Sequence, residues 1–129
     1  MEINLTILVP LKDRSHYTAE WIKYNIYDDF NYIFSDGSYD NSNKKIIKKI
    51  IDRNNISYIS FPPDKTYHDY YKKMYETTKL IKTDFVMTVD NDDFINPNSL
   101  KKMTLYANGT PSVDIFQGAQ AHILKRNNK

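Results

Sequence analysis

Three carboxylates stand within four positions of the stretch VMTVDNDDFINP, at Asp90, Asp92 and Asp93. They follow a run of strand-forming residues, and neighbouring carboxylates repel one another unless a positive partner lies between them. Residues two apart in an extended segment point to the same side, so Asp90 and Asp92 would face one ligand. Mg²⁺ and Mn²⁺ favour carboxylate oxygens together with substrate phosphates and water. The spacing therefore favours a divalent cation, and capping of the following helix in open solvent stays an alternative.

Other uses of these aspartates are disfavoured by the surrounding residues. An EF-hand loop starting at Asp90 needs an oxygen ligand, a glycine and a glutamate where this chain has Phe94, Ile95 and Lys101. A phosphatase of the aspartyl-phosphate kind would carry its D-x-D after the first strand, where this chain has PLKDR. Only three glycines are present, without a G-x-G-x-x-G or Walker A pattern, which disfavours a glycine-rich phosphate cradle.

The composition is that of an ordinary globular protein. The chain has 129 residues, 40% hydrophobic and 26% charged, which predicts one domain over residues 1–129 with a modest core. A net charge of +2 argues against nucleic acid as a partner, and the lack of cysteine excludes disulfides and thiolate metal sites. No stretch resembles a signal peptide or reaches the roughly 20 apolar residues of a transmembrane segment. We therefore expect a cytoplasmic protein, free or peripheral at the inner face of the membrane.

The apolar pattern predicts alternating strands and helices. Four strands are expected where apolar runs end at proline or at turn-forming residues: Leu5–Val9, Tyr32–Ser35, Ile56–Phe61 and Asp84–Val89. Four helices are expected where apolar residues recur at helical spacing: from Ser15 as N-cap, around Ile46–Ile51, from Tyr67 to about Lys82, and from Asn96 as N-cap to about Ala107. One or two final strands are expected within 113–124. This order predicts parallel strands with right-handed crossovers, hence an α/β fold.

Two further expectations follow from these elements. The third helix carries tyrosines at helical spacing together with Met74, which predicts a stripe facing the core: Tyr67, Tyr70, Tyr71 and Tyr75. Polar clusters follow three of the strands, at 10–14, 36–42 and 90–93. Because ligands bind beyond the carboxyl ends of the strands in open α/β sheets, these clusters are expected to converge on one edge.

Three motifs, taken in order, resemble the nucleotide-binding half of glycosyltransferase family 2: LTILVPLKDR, YIFSDGSYDNS and DFVMTVDNDDFINPNSL. The family pattern is a strand ending in proline, then D-D-G-S-x-D-x-[ST], then D-x-D-D. The resemblance covers about residues 3–105. It implies the Rossmann-like nucleotide-diphospho-sugar transferase fold, called GT-A, a mostly parallel sheet flanked by helices with metal and nucleotide at the strand carboxyl ends.

The resemblance also implies roles for single residues. Asp36 would hydrogen-bond the nucleotide base, and Asp90 and Asp92 would hold Mn²⁺ or Mg²⁺ on the diphosphate. The residues implied to contact the nucleotide are Pro10, Leu11, Arg14, Asp36, Asp90 and Asn91. The chain departs from the family at Ser35, which replaces the first acid of D-D-G-S, and at YHDYYKK, which replaces a common Ala-Arg-Asn segment. These departures leave the identity of the base and of the sugar open.

The implied reaction is transfer of a sugar from a nucleotide diphosphate, UDP foremost, to an acceptor hydroxyl in glycan or polysaccharide synthesis. The cation would offset charge on the leaving diphosphate, and a general base would activate the acceptor hydroxyl. In the family that base lies well downstream of D-x-D-D, where this chain has Asp114 as its sole later acid. We therefore assign no general base and expect a donor-binding domain without its acceptor half, in which transfer is weak or absent.

Two other functions stay open at the level of sequence. One is a non-catalytic α/β module that binds a partner, which metal-dependent nucleotide binding would distinguish from a transferase. The other is a nucleotidyltransferase of related fold, although PLKDRS lacks the glycine-rich signature expected after the first strand. The acceptor, the stereochemistry of transfer and a homodimer through the unpaired end of the sheet are likewise open.

Overall fold

The computed structural model describes residues 4–112, together with 114, 115 and 117. Strands and helices alternate along it. The strands are β1 (Leu5–Leu11), β2 (Asn31–Asp36), β3 (Ile56–Ser60) and β4 (Phe85–Thr88). The helices are α1 (Ser15–Asn25), α2 (Ser42–Ile47), α3 (Tyr67–Thr78) and α4 (Pro97–Asn108). The predicted alternation is confirmed over these eight elements, whereas the final strands predicted within 113–124 fall largely outside the described residues.

The four strands form one parallel sheet in the order β3-β2-β1-β4. Each crossover between parallel neighbours runs through a helix, as parallel pairing requires. The carboxyl ends of all four strands therefore lie at the same edge. The predicted α/β architecture, a parallel sheet flanked by helices, is confirmed.

The core lies on both faces of β1 and β2. β1 is buried along its whole length, as expected of a central strand in a parallel sheet. On one face, Trp21 of α1 packs edge-on against Tyr32 and Phe34, with ring centroids 6.1 and 5.8 Å apart. On the other face, the hydroxyl groups of Ser35 and of Thr77 in α3 are hydrogen-bonded at 2.7 Å. The helices thus cover both faces of the sheet.

β1 extends two residues beyond its predicted end and contains Pro10. The N–H of Val89 donates to Leu8 O, and the N–H of Gly37 donates to Leu11 O. The backbone N–H and C=O groups of the even-numbered residues of β1 therefore point towards β4, and those of the odd-numbered residues point towards β2. Pairing with β4 ends at Leu8. Pro10 therefore faces the side where no partner strand requires an N–H, which is where a proline is tolerated in a strand.

Two predicted helices end earlier than expected. α2 ends at Ile47 and α3 at Thr78. Beyond each end the backbone hydrogen bonds span three residues, from Ile50 N–H to Ile47 O and from Ile81 N–H to Thr78 O. This tighter winding breaks the α-helical spacing. Ile51, predicted to lie on the apolar stripe, is consequently exposed.

The predicted tyrosine stripe of α3 is wrong as a core face. Tyr67, Tyr71 and Tyr75 are 84%, 67% and 63% exposed, Tyr70 and Met74 are half-buried, and the fully buried residues of α3 are Lys73 and Thr77. The reason is that polar groups of the sheet edge and of β2 pair with these two residues. Tyrosine has an apolar ring and a polar tip and is stable at a surface, so its spacing did not fix which side of the helix is buried.

The helix starts differ in how well they were predicted. The N-cap of α4 is confirmed, since Asn96 Oδ1 accepts from Ser99 N–H at 3.1 Å with Pro97 in the first turn. Ser15 is wrong as the N-cap of α1, because it is already helical and the cap residue is Arg14, without a side-chain cap bond.

Within the part of the chain that the structure describes, no helix is long and apolar enough to cross a membrane.

Candidate functional site

A cleft of about 490 Å³ opens at the carboxyl edge of the sheet. Its walls come from the end of β1 and the turn after it, from residues 64–67 and α3, and from the loop after β4. Five of the six residues that the sequence predicted to contact a nucleotide line this cleft: Pro10, Leu11, Arg14, Asp90 and Asn91. The structure therefore brings two of the three polar clusters together around one cavity.

The loop after β4 carries a carboxylate cluster. One oxygen each of Asp90, Asp92 and Asp93 lies within 4.8 Å of the others, and all three residues are exposed. Hard cations such as Mg²⁺ and Mn²⁺ take such carboxylate oxygens and complete their shells with water and phosphate. This donor set is compatible with the cation expected from the sequence, and Asp93 is a third candidate beside the two predicted ligands.

The positive group next to this cluster is Arg14. Its Nη2 donates to Asp92 Oδ2 at 2.9 Å, and its guanidinium carbon lies 4.5 Å from the centroid of the Tyr17 ring. The hydrogen bond to Asp92 raises the pKa of Arg14 above its ordinary value. Both side chains of the pair are partly exposed, at 51% and 37%. The ion pair joins the turn after β1 to the loop after β4.

The turn that carries Arg14 has an unusual backbone. Asp13 and Arg14 have φ values of 54° and 53°, in the left-handed region that residues other than glycine rarely adopt. Three hydrogen bonds from the segment after β2 hold Asp13 there. Its N–H donates to Ser38 Oγ at 2.7 Å, its Oδ1 accepts from Tyr39 N–H at 2.9 Å, and its carbonyl accepts from Asn43 Nδ2 at 2.8 Å. The motif SDGSYDNS thus serves to position the turn after β1.

Asp36 is placed differently from the other predicted residues. It is buried at the end of β2 and is not among the residues that line the cleft. Its Oδ1 accepts from the N–H and the hydroxyl of Ser38, at 2.9 and 2.5 Å, and its Oδ2 accepts from Tyr58 Oη at 2.6 Å. Burial, with this hydrogen bond second, raises the pKa of Tyr58. In the described structure Asp36 holds Ser38 in place, and its contact with a base stays a prediction.

Asn91 connects the carboxylate loop to α1. Its Nδ2 donates to Thr18 Oγ1 at 3.0 Å, and it also contacts Arg14 O at 3.5 Å. Thr18 and Asn91 are both buried, and Asn91 lies between Asp90 and Asp92 in the sequence. Its hydrogen bond to Thr18 therefore holds the carboxylate loop against α1. The N of D-N-D-D therefore has a structural task beside any contact with a ligand.

A buried ion pair in the cleft wall was not anticipated from the sequence. Lys73 Nζ pairs with Asp64 Oδ2 and donates to Leu11 O at 3.0 Å, and both side chains are only 2–3% exposed. The ring centroid of Tyr70 lies 5.4 Å from the ammonium. The second oxygen, Asp64 Oδ1, is buried and has no hydrogen-bond partner in the described structure. In the sequence, Asp64 is visible as an acid directly after Pro62-Pro63, but nothing near Lys73 indicates that its side chain points inward. The pairing of the two could therefore not be predicted.

The cleft combines groups that suit a phosphate-bearing ligand. Arg14, Lys12 and Lys65 contribute positive charge to its lining, and Tyr67 and Tyr71 contribute ring surface. Basic side chains bind phosphate oxygens, and exposed aromatic rings bind flat or weakly polar faces. Together with the carboxylate cluster, these groups suit a ligand that carries both phosphate and a ring.

The parallel sheet, its flanking helices and the position of the cleft define a Rossmann-like α/β domain of glycosyltransferase-like fold. Among solved structures, the chain is similar to Staphylococcus aureus TarS, residues 1–349, with a TM-score of 0.66 and 20% identity over 86% of this chain and 33% of that one. A structure of TarS gives the same score and identity over 20% of its chain. TarS 1–349 in complex with UDP-GlcNAc gives a TM-score of 0.63, 20% identity and coverage of 32% of that chain.

These likenesses concern the fold. No protein-family model matches this chain, and no curated protein sequence matches it either. The chain spans about a third of TarS 1–349. The predicted fold class is therefore confirmed by both the sheet topology and the structural neighbours.

Proposed function

We propose that this chain is the donor-binding part of a glycosyltransferase of family 2, and that its cleft binds a nucleotide-diphosphate sugar, a UDP-sugar foremost. The observation that carries the proposal is the convergence of Pro10, Leu11, Arg14, Asp90 and Asn91 on one cavity beside a carboxylate cluster. These residues come from motifs at opposite ends of the described chain. A parallel sheet that brings them to one edge supports a common ligand.

The structural neighbours support the choice of ligand. TarS 1–349 has been solved in complex with UDP-GlcNAc. A nucleotide-diphosphate sugar has the chemistry that the cleft offers, since the basic side chains suit the diphosphate and the tyrosine rings suit the base or the sugar. The sugar itself is left open by the proposal.

In the proposed mechanism, Asp90 and Asp92 would hold the divalent cation. When bound, such a cation offsets the negative charge that develops on the leaving diphosphate. Arg14 contributes a further positive charge at the cleft, and Asn91 keeps the carboxylate loop against α1. The acceptor is a hydroxyl of a glycan or polysaccharide. Asp114, the sole acid after Asp93, is exposed, and we assign it no part in activating that hydroxyl.

The test is thermal unfolding of the chain with UDP, with Mn²⁺, and with both. A ligand at about 100 times its dissociation constant stabilises a protein by roughly 2.7 kcal/mol, a shift of several degrees for a domain of this size. We expect the shift with UDP to require Mn²⁺ and to vanish in Asp92→Asn. Asp28→Asn is the matched control, because Asp28 also forms an exposed ion pair, with Arg53, but is not part of the carboxylate cluster.

A shift that survives in Asp92→Asn would contradict the assigned metal ligand while leaving nucleotide binding in place. If UDP causes no shift, ADP, GDP and CDP are the next ligands to measure. Absence of a shift with all four nucleotides would refute the donor site and favour a partner-binding module.

A further inference from the structure

The carboxylate cluster already has a positively charged partner in this structure, the side chain of Arg14. Arg14 donates to Asp92, one of the two residues predicted to hold the metal. We propose that Arg14 is an internal counter-ion that a divalent cation must displace from Asp92, and that the displaced guanidinium then binds the diphosphate of the ligand. This inference rests on the proposed function and concerns the order in which the cation and the nucleotide ligand bind at that site.

The competition follows from the atoms involved. Arg14 occupies Asp92 Oδ2, and the ligand oxygens of the cluster lie within 4.8 Å of one another. A dication held by Asp90 and Asp92 would therefore sit within a few ångströms of the guanidinium, where the two positive charges repel each other. The cation and Arg14 therefore compete for the negative charge of Asp92.

The displacement is feasible because the ion pair is weak. Both side chains are substantially exposed, and exposed ion pairs change an equilibrium constant by up to about fivefold. A dication that gains two or three carboxylates at once outweighs that loss. Arg14 also has a second contact, because its guanidinium lies over the Tyr17 ring.

The position of the Arg14 backbone does not depend on Asp92. The left-handed turn at residues 13–14 is held by Ser38, Tyr39 and Asn43, all from the segment after β2. After release, the side chain would still start at the cleft that it lines. The strained turn therefore keeps Arg14 within reach of both the carboxylates and a diphosphate, and only its side chain needs to move.

The experiment distinguishes the two roles of Arg14, because its removal should strengthen Mn²⁺ binding and weaken UDP binding. Mn²⁺ binding to the whole chain is measured by calorimetry without nucleotide, and UDP binding is then measured at saturating Mn²⁺. We expect Arg14→Gln to bind Mn²⁺ about two- to fivefold more tightly at low ionic strength, with the difference shrinking as salt screens the charges. The same variant should bind UDP several-fold more weakly. A purely structural defect would weaken both.

Two further variants complete the design. Arg14→Lys keeps the charge and should bind Mn²⁺ nearly as the wild type does. Arg53→Gln removes an exposed ion pair remote from the cleft and should change neither affinity. Equal or weaker Mn²⁺ binding by Arg14→Gln would overturn the inference while leaving the metal site intact. Failure of both wild type and Arg14→Gln to bind Mn²⁺, without UDP and also with it, would instead overturn the metal assignment of the proposed function, and the inference with it.

Discussion

At the scale of single residues, Gly37 and Asp64 form a close contact behind the cleft. Gly37 N–H donates to Leu11 O, and its carbonyl accepts from Asp64 N–H, both at 2.9 Å. The Asp64 carboxylate lies directly against the Cα of Gly37, so that a Cβ built there would be 2.5 Å from Asp64 Cγ. The glycine of the DGS motif is thus required by the space that the buried ion pair needs.

We predict that Gly37→Ala destabilises the protein by about 1–3 kcal/mol, because the added methyl group forces the packed carboxylate and Lys73 to shift. Urea unfolding measures the change. Gly109→Ala is the matched control, since a Cβ there meets its nearest atom at 3.6 Å, an ordinary contact. Equal effects of the two substitutions would show that the contact with Asp64 is not the cause.

At the scale of elements, α3 begins with a complete capping box. Asp69 N–H donates to Thr66 Oγ1 at 3.2 Å, and Asp69 Oδ2 accepts from Thr66 N–H at 2.9 Å. The same oxygen accepts from Lys65 N–H at 3.1 Å. These bonds satisfy backbone donors that a helix start leaves free. They also fix the first turn of α3, which forms one wall of the cleft.

This capping box predicts a specific dependence on pH. The hydrogen bonds from Thr66, first the hydroxyl and then the backbone N–H, lower the pKa of Asp69. A carboxyl group whose pKa is lower when folded contributes stability above its unfolded pKa of about 3.9, and that stability is lost as the pH falls through the folded pKa.

We expect Asp69→Asn to lower the Tm at neutral pH by on the order of one to three degrees. The difference from the wild type should disappear by about pH 2. Thermal scans across this range measure it, with Asp52→Asn in the exposed turn after α2 as the control. A difference between Asp69→Asn and the wild type that is constant with pH would contradict the ionised cap.

At the scale of the whole molecule, the sheet has a protected centre and less protected sides. β1 is paired on both sides and buried along its length, whereas β4 shows only partial burial and alternating exposure. Local opening is least favourable where backbone hydrogen bonds are covered by packed side chains. The stability of the fold is therefore concentrated in β1 and β2, next to the cleft.

Amide hydrogen exchange tests this distribution. We predict the slowest exchange in Leu5–Val9 and in Tyr32–Ser35, and exchange in Phe85–Thr88 that is faster by at least about tenfold, corresponding to about 1.4 kcal/mol in opening free energy. Exchange in β4 as slow as in β1 would show that the β4 side is covered in solution. Mn²⁺ with UDP should slow exchange in residues 90–93 if the proposed donor site is occupied.

How much of this could be predicted varied with the range of the interactions. The order of strands and helices followed from apolar periodicity, which is a local property. The cap at Asn96 followed from another local signal, an asparagine directly before Pro97 at a helix start. The convergence of residues 10–14 with 90–93 also followed, because parallel strands place all their carboxyl ends at one edge. The phase of α3 did not follow, since tyrosine is compatible with both the surface and the core.

The sequence by itself determined the fold class, the edge of the sheet where a ligand is expected, and the residue types available there. Tertiary structure alone decided which charges meet: Arg14 with Asp92, 78 positions apart, and Lys73 with Asp64 in the cleft wall. It also decided that Asp36 holds Ser38 and that the SDGSYDNS segment clamps the turn at Asp13. The physical reason is that periodicity and turn chemistry act over a few residues. Pairing of charges, in contrast, depends on distances that exist only once the sheet has assembled.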